Sequence, residues 1–131
     1  MKKSLTRAGV VTVLVLSHFP AYAATTPRQI PGYGCMMLNL TEQQSMDPSV
    51  HIPVRSAPSE SAPPIGWAGA VVAVREPVAP VNGFVAMLFP TGQQVWIPKS
   101  DLRPYHSLGD PGARCVPVML PNGRVGFDSP R

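Results

Sequence analysis

The stretch FVAMLFPTGQQVWIP, residues 84–98, decides the fold. Val85, Met87 and Phe89 fall on one face, and Phe84, Ala86 and Leu88 on the other, the period of two that a strand needs. Pro90-Thr91-Gly92-Gln93 then brings Pro and Gly together in a tight turn. Residues 94–97 return as a second strand, which Pro98 stops because it has no N–H to donate. The pair is a β-hairpin.

The same grammar continues on either side. Sixteen of the 17 prolines follow residue 23, and they recur every few residues, which leaves no room for a long helix. Upstream, residues 70–74 are a small-apolar run suited to a buried strand, and residues 76–82 a Pro-punctuated loop ending at Asn82-Gly83. Val50, Ile52 and Val54 alternate with His51, Pro53 and Arg55, which predicts a half-buried strand, with Pro53 marking a sheet edge. Residues 56–64 are a loop of Ser, Ala and Pro, and residues 41–47 a turn or a single helical turn. Residues 35–39 form the expected first strand, with Met36 and Met37 in the core rather than on copper. Residues 24–34 are expected to be extended and polar. Downstream, residues 99–102 predict one 3₁₀ turn, with Asp101 as its cap. Residues 114–120 and 124–127 flank Pro121-Asn122-Gly123, a second hairpin signal because Asn-Gly tolerates positive φ. The expectation is an all-β chain of short strands.

The N-terminus gives an address. Lys2, Lys3 and Arg7 precede an apolar stretch, residues 8–16, followed by Pro20 and the small-residue frame Ala21-Tyr22-Ala23. This is the layout of a secretory signal peptide, residues 1–23, cut after Ala23. The apolar run is too short to span ~30 Å of hydrocarbon, so no stable membrane span is expected once the signal is gone. The protein is therefore expected to be periplasmic or secreted.

Cleavage there would leave 108 of the 131 residues, one domain's worth. The whole chain has 11 Lys and Arg against 7 Asp and Glu, but three of the bases lie in the signal, so the remainder is 8 to 7. The bases are scattered, and a nucleic-acid partner is not expected. Cys35 and Cys115 are the only cysteines, and in an oxidising compartment they are expected to form a disulfide tying the first strand to the C-terminal hairpin.

Residues 50–104 resemble the bacterial SH3-like (SH3b) family. Val54-Arg55-Ser56-Ala57-Pro58-Ser59 stands where the family has a "VRSGPS" phrase, and Ile65-Gly66 at its "IG" step. Val71-Val72-Ala73-Val74 matches the Val-rich strand, Gly83-Phe84-Val85 the "GWxxV" strand, and residues 95–102, VWIPKSDL, the closing "GWVPxxxL" phrase. Ala57 and Val95 replace family glycines, and Phe84 replaces a Trp. The resemblance implies a small, five-stranded, partly open barrel. Residues 24–49 would add a leader and an N-terminal strand, and residues 105–131 a C-terminal hairpin packed on the barrel. It also implies a binding or spacing module of the cell envelope, whose ligand is peptidoglycan or an envelope protein. Residues 24–49 and 105–131 are too short to hold a wall-cleaving enzyme.

The candidate ligand-binding residues are Trp67, Arg55, Phe84, Trp96 and Tyr105. Trp67 stands where the family has a small or polar residue, so an exposed aromatic patch is expected there. Trp96 is expected to support the barrel, with ligand contact as the alternative. Arg55 is expected either to brace loop carbonyls, near Asp101, or to pair with a partner's carboxylate. Tyr105 and His106 would join Trp67 and Phe84 on one rim. His51 and His106 have no Cys or carboxylate at ligand spacing, so no metal site is expected. No nucleophile elbow, H-E-x-x-H or phosphate loop is present, so neither catalysis nor a cofactor is expected. The Asn39-Leu40-Thr41 triplet fits a glycosylation acceptor, a pattern frequent by chance. The alternative function is a structural or inhibitory subunit of an envelope assembly, docking by strand addition.

Overall fold

The computed structural model describes Ser4, residues 8–17 and residues 26–130. The expected cut after Ala23 lies outside the described residues, as do Lys2, Lys3 and Arg7. Residues 8–17 form neither helix nor strand, and no helix among the described residues is long and apolar enough to cross a membrane.

Among the described residues the chain is all-β, with two antiparallel sheets and almost no helix. In chain order the elements are β1 (Arg28–Gln29), β2 (Tyr33–Leu38), α1 (Glu42–Met46), β3 (Pro53–Arg55), β4 (Pro64–Trp67), β5 (Val71–Arg75), β6 (Phe84–Leu88), β7 (Gln94–Pro98), a 3₁₀ turn (Lys99–Asp101), β8 (Leu102–Pro104), β9 (Val116–Met119) and β10 (Val125–Asp128). The larger sheet runs β4-β3-β7-β6-β5-β2-β8 and the smaller β1-β9-β10.

Six strands of the large sheet feed a single core: Leu38, Val54, Val72 and Val74, Val85 and Met87, Val95 and Ile97, and Leu102. A flat sheet cannot bring six strands to one cluster, so the sheet coils around its apolar face. It does not close. Strands β4 and β8 are its two edges, and no ladder joins them. The expected barrel is therefore an open, coiled sheet.

The decisive hairpin forms as the alternation requires. Strand β6 pairs with β7 from Phe84↔Pro98 to Leu88↔Gln94, and the Phe89 N–H donates to the Gln93 carbonyl at 2.8 Å across the turn. At the other end of β6, Val81 and Phe84 exchange two backbone bonds, and Asn82 and Gly83 between them both have positive φ. That is a two-residue primed turn, for which Asn-Gly is the preferred pair.

Three expectations are corrected. Pro53 is not on an edge, since β3 lies between β4 and β7. The β3–β7 ladder has one pair, Arg55↔Trp96, and the same register would set Pro53 against Pro98. Neither has an N–H, so the ladder ends there, and Pro53 is tolerated inside a sheet. Second, the leader is not merely extended. Arg28 and Gln29 pair with Met119 and Val118 as β1. Ile30 N–H still reaches the Pro117 carbonyl at 3.0 Å, but Pro117 cannot answer, and β1 stops. Third, Asp101 makes no side-chain cap in the 3₁₀ turn, and its carbonyl accepts the Asn39 N–H at 2.7 Å instead. Residues 41–47 do hold a helical turn, fixed by a reciprocal cap between Thr41 and Gln44.

The two sheets are joined by the Cys35–Cys115 disulfide, with Cα atoms 5.9 Å apart. Cys35 sits opposite Ala73, on the face of the large sheet away from its core, and β9 packs against β2 there. Ala73 is fully buried even though it points away from the main core.

Candidate functional site

Trp67 ends the edge strand β4 and is 56% exposed. Water contact at this level is uncommon for the largest apolar side chain. The strand holds it in place through the pairs Val54↔Gly66 and Pro53↔Trp67. His51, just ahead of β3, stacks on its indole with ring centroids 5.1 Å apart and planes 24° from parallel. One face of the indole is thus propped, which fixes its orientation.

Trp67 forms one wall of a cleft of about 170 Å³ whose other principal walls are Val71, Met87, Phe89, Val125 and Phe127. Gly66 makes the floor possible, because a Cβ there would lie 2.5 Å from Phe89 Cζ. The ring of Phe89 can lie against β4 only where no side chain intervenes. The far wall belongs to the small sheet. The Val125 N–H donates to the Pro90 carbonyl at 2.9 Å, which pins β10 to the turn between β6 and β7 and sets Phe127 at the mouth. Phe127 is itself exposed. No charged side chain lines the cleft. It suits a flat apolar surface, such as the C–H face of a sugar ring or a proline, gripped between aromatic walls.

The other expected residues go elsewhere. Arg55 is half-buried and its Nη1 donates to the Ala62 carbonyl at 2.7 Å, so it braces the loop ahead of β4, not the region of Asp101. Trp96 is half-buried, directly across from Arg55, and points away from the core that Val95 and Ile97 enter. It lines a separate groove of about 400 Å³ with Arg75, Pro77, Val81 and Ala86. Phe84 is only 4% exposed. Tyr105 is half-buried just past β8, and His106 lines a third cavity with Arg103. Arg55 and Trp96 are brought together, whereas Trp67, Phe84 and Tyr105 do not share a rim. Met36 packs on the core as expected, but Met37 falls on the other face of β2, where its Sδ accepts the His106 N–H at 3.5 Å. Among the described residues, no three His, Cys, Asp or Glu side chains gather as a metal-holding group.

His51, Phe89 and Phe127 escaped the sequence reading of the site. Val125 and Phe127 share a face by the period of two, which was a usable signal. The contact between His51 and Trp67 had none, because it depends on the pairing of β3 with β4.

Compared with protein families, curated proteins and solved structures, the chain has no match.

Proposed function

We propose that this chain is an exported, non-catalytic, SH3-like binding module of the bacterial cell envelope, and that it holds wall polymer through the Trp67 cleft. The observation that carries the reading is Trp67 itself, largely exposed, propped by His51 and facing Phe127 across an apolar recess. Aromatic walls of this kind offer large rigid contact area at low entropic cost. The family phrases fall in order on β3, β4, β5, β6 and β7, which supports the SH3-like reading. The disulfide accords with an oxidising compartment and with the apolar N-terminal stretch.

The test is co-sedimentation with purified peptidoglycan, with Trp67 fluorescence read in a Trp96→Phe background. Saturable binding that quenches Trp67 and disappears in Trp67→Ala, with the fold intact, is expected. Absence of both binding and quenching would reject the wall-polymer reading.

A second reading, a subunit of an envelope assembly docking by strand addition, is favoured by β10. It is an edge strand of the small sheet, held on its outer side at Val125 by the Pro90 carbonyl, and the Leu120 N–H to Arg124 carbonyl bond sets a register that leaves the Phe127 N–H and C=O on that outer side without a ladder partner. A size-exclusion shift with envelope extract that survives Trp67→Ala but not Phe127→Pro would support it.

A further inference from the structure

The pair Asn-Gly occurs at residues 82–83 and 122–123, at a hairpin turn each time, and all four residues are exposed. Open space surrounds both glycines, since a Cβ added to Gly83 or Gly123 would meet nothing within 4 Å. The two pairs are chemically alike, and water reaches both. They differ in what the fold does with the glycine nitrogen.

In the turn between β9 and β10 the Gly123 N–H donates to the Leu120 carbonyl at 2.9 Å, and Asn122 Oδ1 accepts the Arg124 N–H at 3.0 Å. The nitrogen and the side-chain amide are both committed. In the turn between β5 and β6 the reciprocal bonds, 2.8 and 2.9 Å, run between Val81 and Phe84. The two residues inside a primed turn stand outside that pairing. Among the described residues the Gly83 N–H has no hydrogen-bond partner. The Asn82 amide is held by a single exposed bond, from Nδ2 to the Pro58 carbonyl at 3.2 Å.

We propose that Asn82 is a site of spontaneous deamidation, with water as the only reactant, and that the fold protects Asn122 from the same reaction. Hydroxide takes the Gly83 N–H proton, and the amide nitrogen attacks Asn82 Cγ. The N–Cγ bond forms, the Cγ–Nδ2 bond breaks, and ammonia leaves with a proton from water. Glycine has no Cβ to obstruct the approach. Water then opens the succinimide ring. Breaking N–Cγ gives aspartate, and breaking the bond from N to the backbone carbonyl carbon gives isoaspartate. Either product sets a carboxylate in place of the Nδ2 donor, so the tie from this turn to Pro58 in the 56–64 loop is lost. Isoaspartate also lengthens the main chain by one carbon, which breaks the match between a two-residue turn and its flanking strands. At Asn122 the same attack first requires the Gly123 bond to open.

The test is to age the purified, disulfide-bonded protein in warm, mildly alkaline buffer and to map it with trypsin over days. Cleavage after Arg and Lys puts Asn82 in the peptide 76–99 and Asn122 in the peptide 115–124. Mass spectrometry reads the gain of an acid for an amide, and electron-transfer fragmentation tells isoaspartate from aspartate. In the folded protein Asn82 is expected to convert at least about fivefold faster than Asn122, the factor that the net worth of one hydrogen bond gives. In guanidinium chloride, with the disulfide reduced, the two sites should convert at similar rates, because only the fold distinguishes them. Equal rates in the folded protein, or faster conversion of Asn122, would overturn the proposal. So would an advantage of Asn82 that persists unchanged in the unfolded chain, since sequence and not the turn would then be its cause.

Discussion

Cys35 and Cys115 stand 80 residues apart in the chain and are bonded to each other, joining β2 of the large sheet to the entrance of β9 in the small one. A cross-link over so long a loop restricts the unfolded chain far more than the folded one. On the chain-entropy account it contributes about 4 kcal/mol. Replacing both cysteines by serine is expected to lower the thermal midpoint by more than about 15 °C, at the 4–8 °C per kcal/mol usual for a domain of this size. Melting curves of the double variant, followed by circular dichroism, would check this. A shift of only a few degrees would mean that non-covalent contacts alone hold the sheets together.

Gly66→Ala is expected to disturb the Trp67 cleft without touching its exposed walls. The added methyl meets the ring of Phe89, which must move off β4. Overpacking of this kind costs about 1–3 kcal/mol. Wall-polymer binding should fall with stability, and both can be followed through denaturant midpoints and co-sedimentation. Full binding at wild-type stability would mean that Phe89 is not the floor.

The turn from Val81 to Phe84 needs positive φ at both central residues, 50° at Asn82 and 80° at Gly83. Gly83→Val puts a β-branched residue where left-handed backbone is disfavoured, at a cost of about 1–2 kcal/mol. Asn82→Gly keeps the turn geometry but loses the 3.2 Å bond from Asn82 Nδ2 to the Pro58 carbonyl, so a smaller loss, about 1 kcal/mol or less, is expected. Comparing the two variants by chemical denaturation separates turn strain from any general sensitivity of the loop.

Asp47 offers a pH signature. The Ser49 hydroxyl donates to its Oδ1 at 2.7 Å and the Ser49 N–H at 2.9 Å, and these bonds hold the carboxyl below the usual aspartate range. Because the folded value is the lower one, this small stabilisation is present above the ordinary aspartate pKa and is lost as pH falls through the folded value. Ser49→Ala removes the larger contribution, so the Asp47 carboxyl should titrate at higher pH, read from its carboxyl carbon resonance. The backbone bond remains, so the return toward the ordinary value should be incomplete.

Local signals carried most of the secondary structure. The 84–98 hairpin, the Asn82-Gly83 turn, the 3₁₀ turn after Pro98 and the hairpin at Asn122-Gly123 each follow from residues only a few positions apart. Sheet membership did not. Pro53 carried the mark of an edge strand but lies inside the sheet, because the residue its register would oppose is also a proline. Arg28 and Gln29 form a strand only because β9 passes beside them. The site divides in the same way. The exposure of Trp67 was suggested only by the resemblance, which sets a small or polar residue there, and Cys35–Cys115 followed from the count of cysteines. Phe84, grouped with Trp67 and Tyr105 because it stands where the resembled family has a Trp, is buried. The walls given by His51, Phe89 and Phe127 depend on which strands meet, and a local pattern does not encode that.

The pairing of β1 with β9 has a consequence for how the fold is reached. Residues 28–29 cannot find their neighbours until residues 118–119 exist, and β2 waits for β8 until residue 104. Neither sheet can be completed on a growing chain, so full assembly is deferred until nearly the whole polypeptide is available. Such distant pairings make for slow acquisition of structure. Until then β1 and one edge of β2 stay unpaired, while the local β6–β7 hairpin can already form.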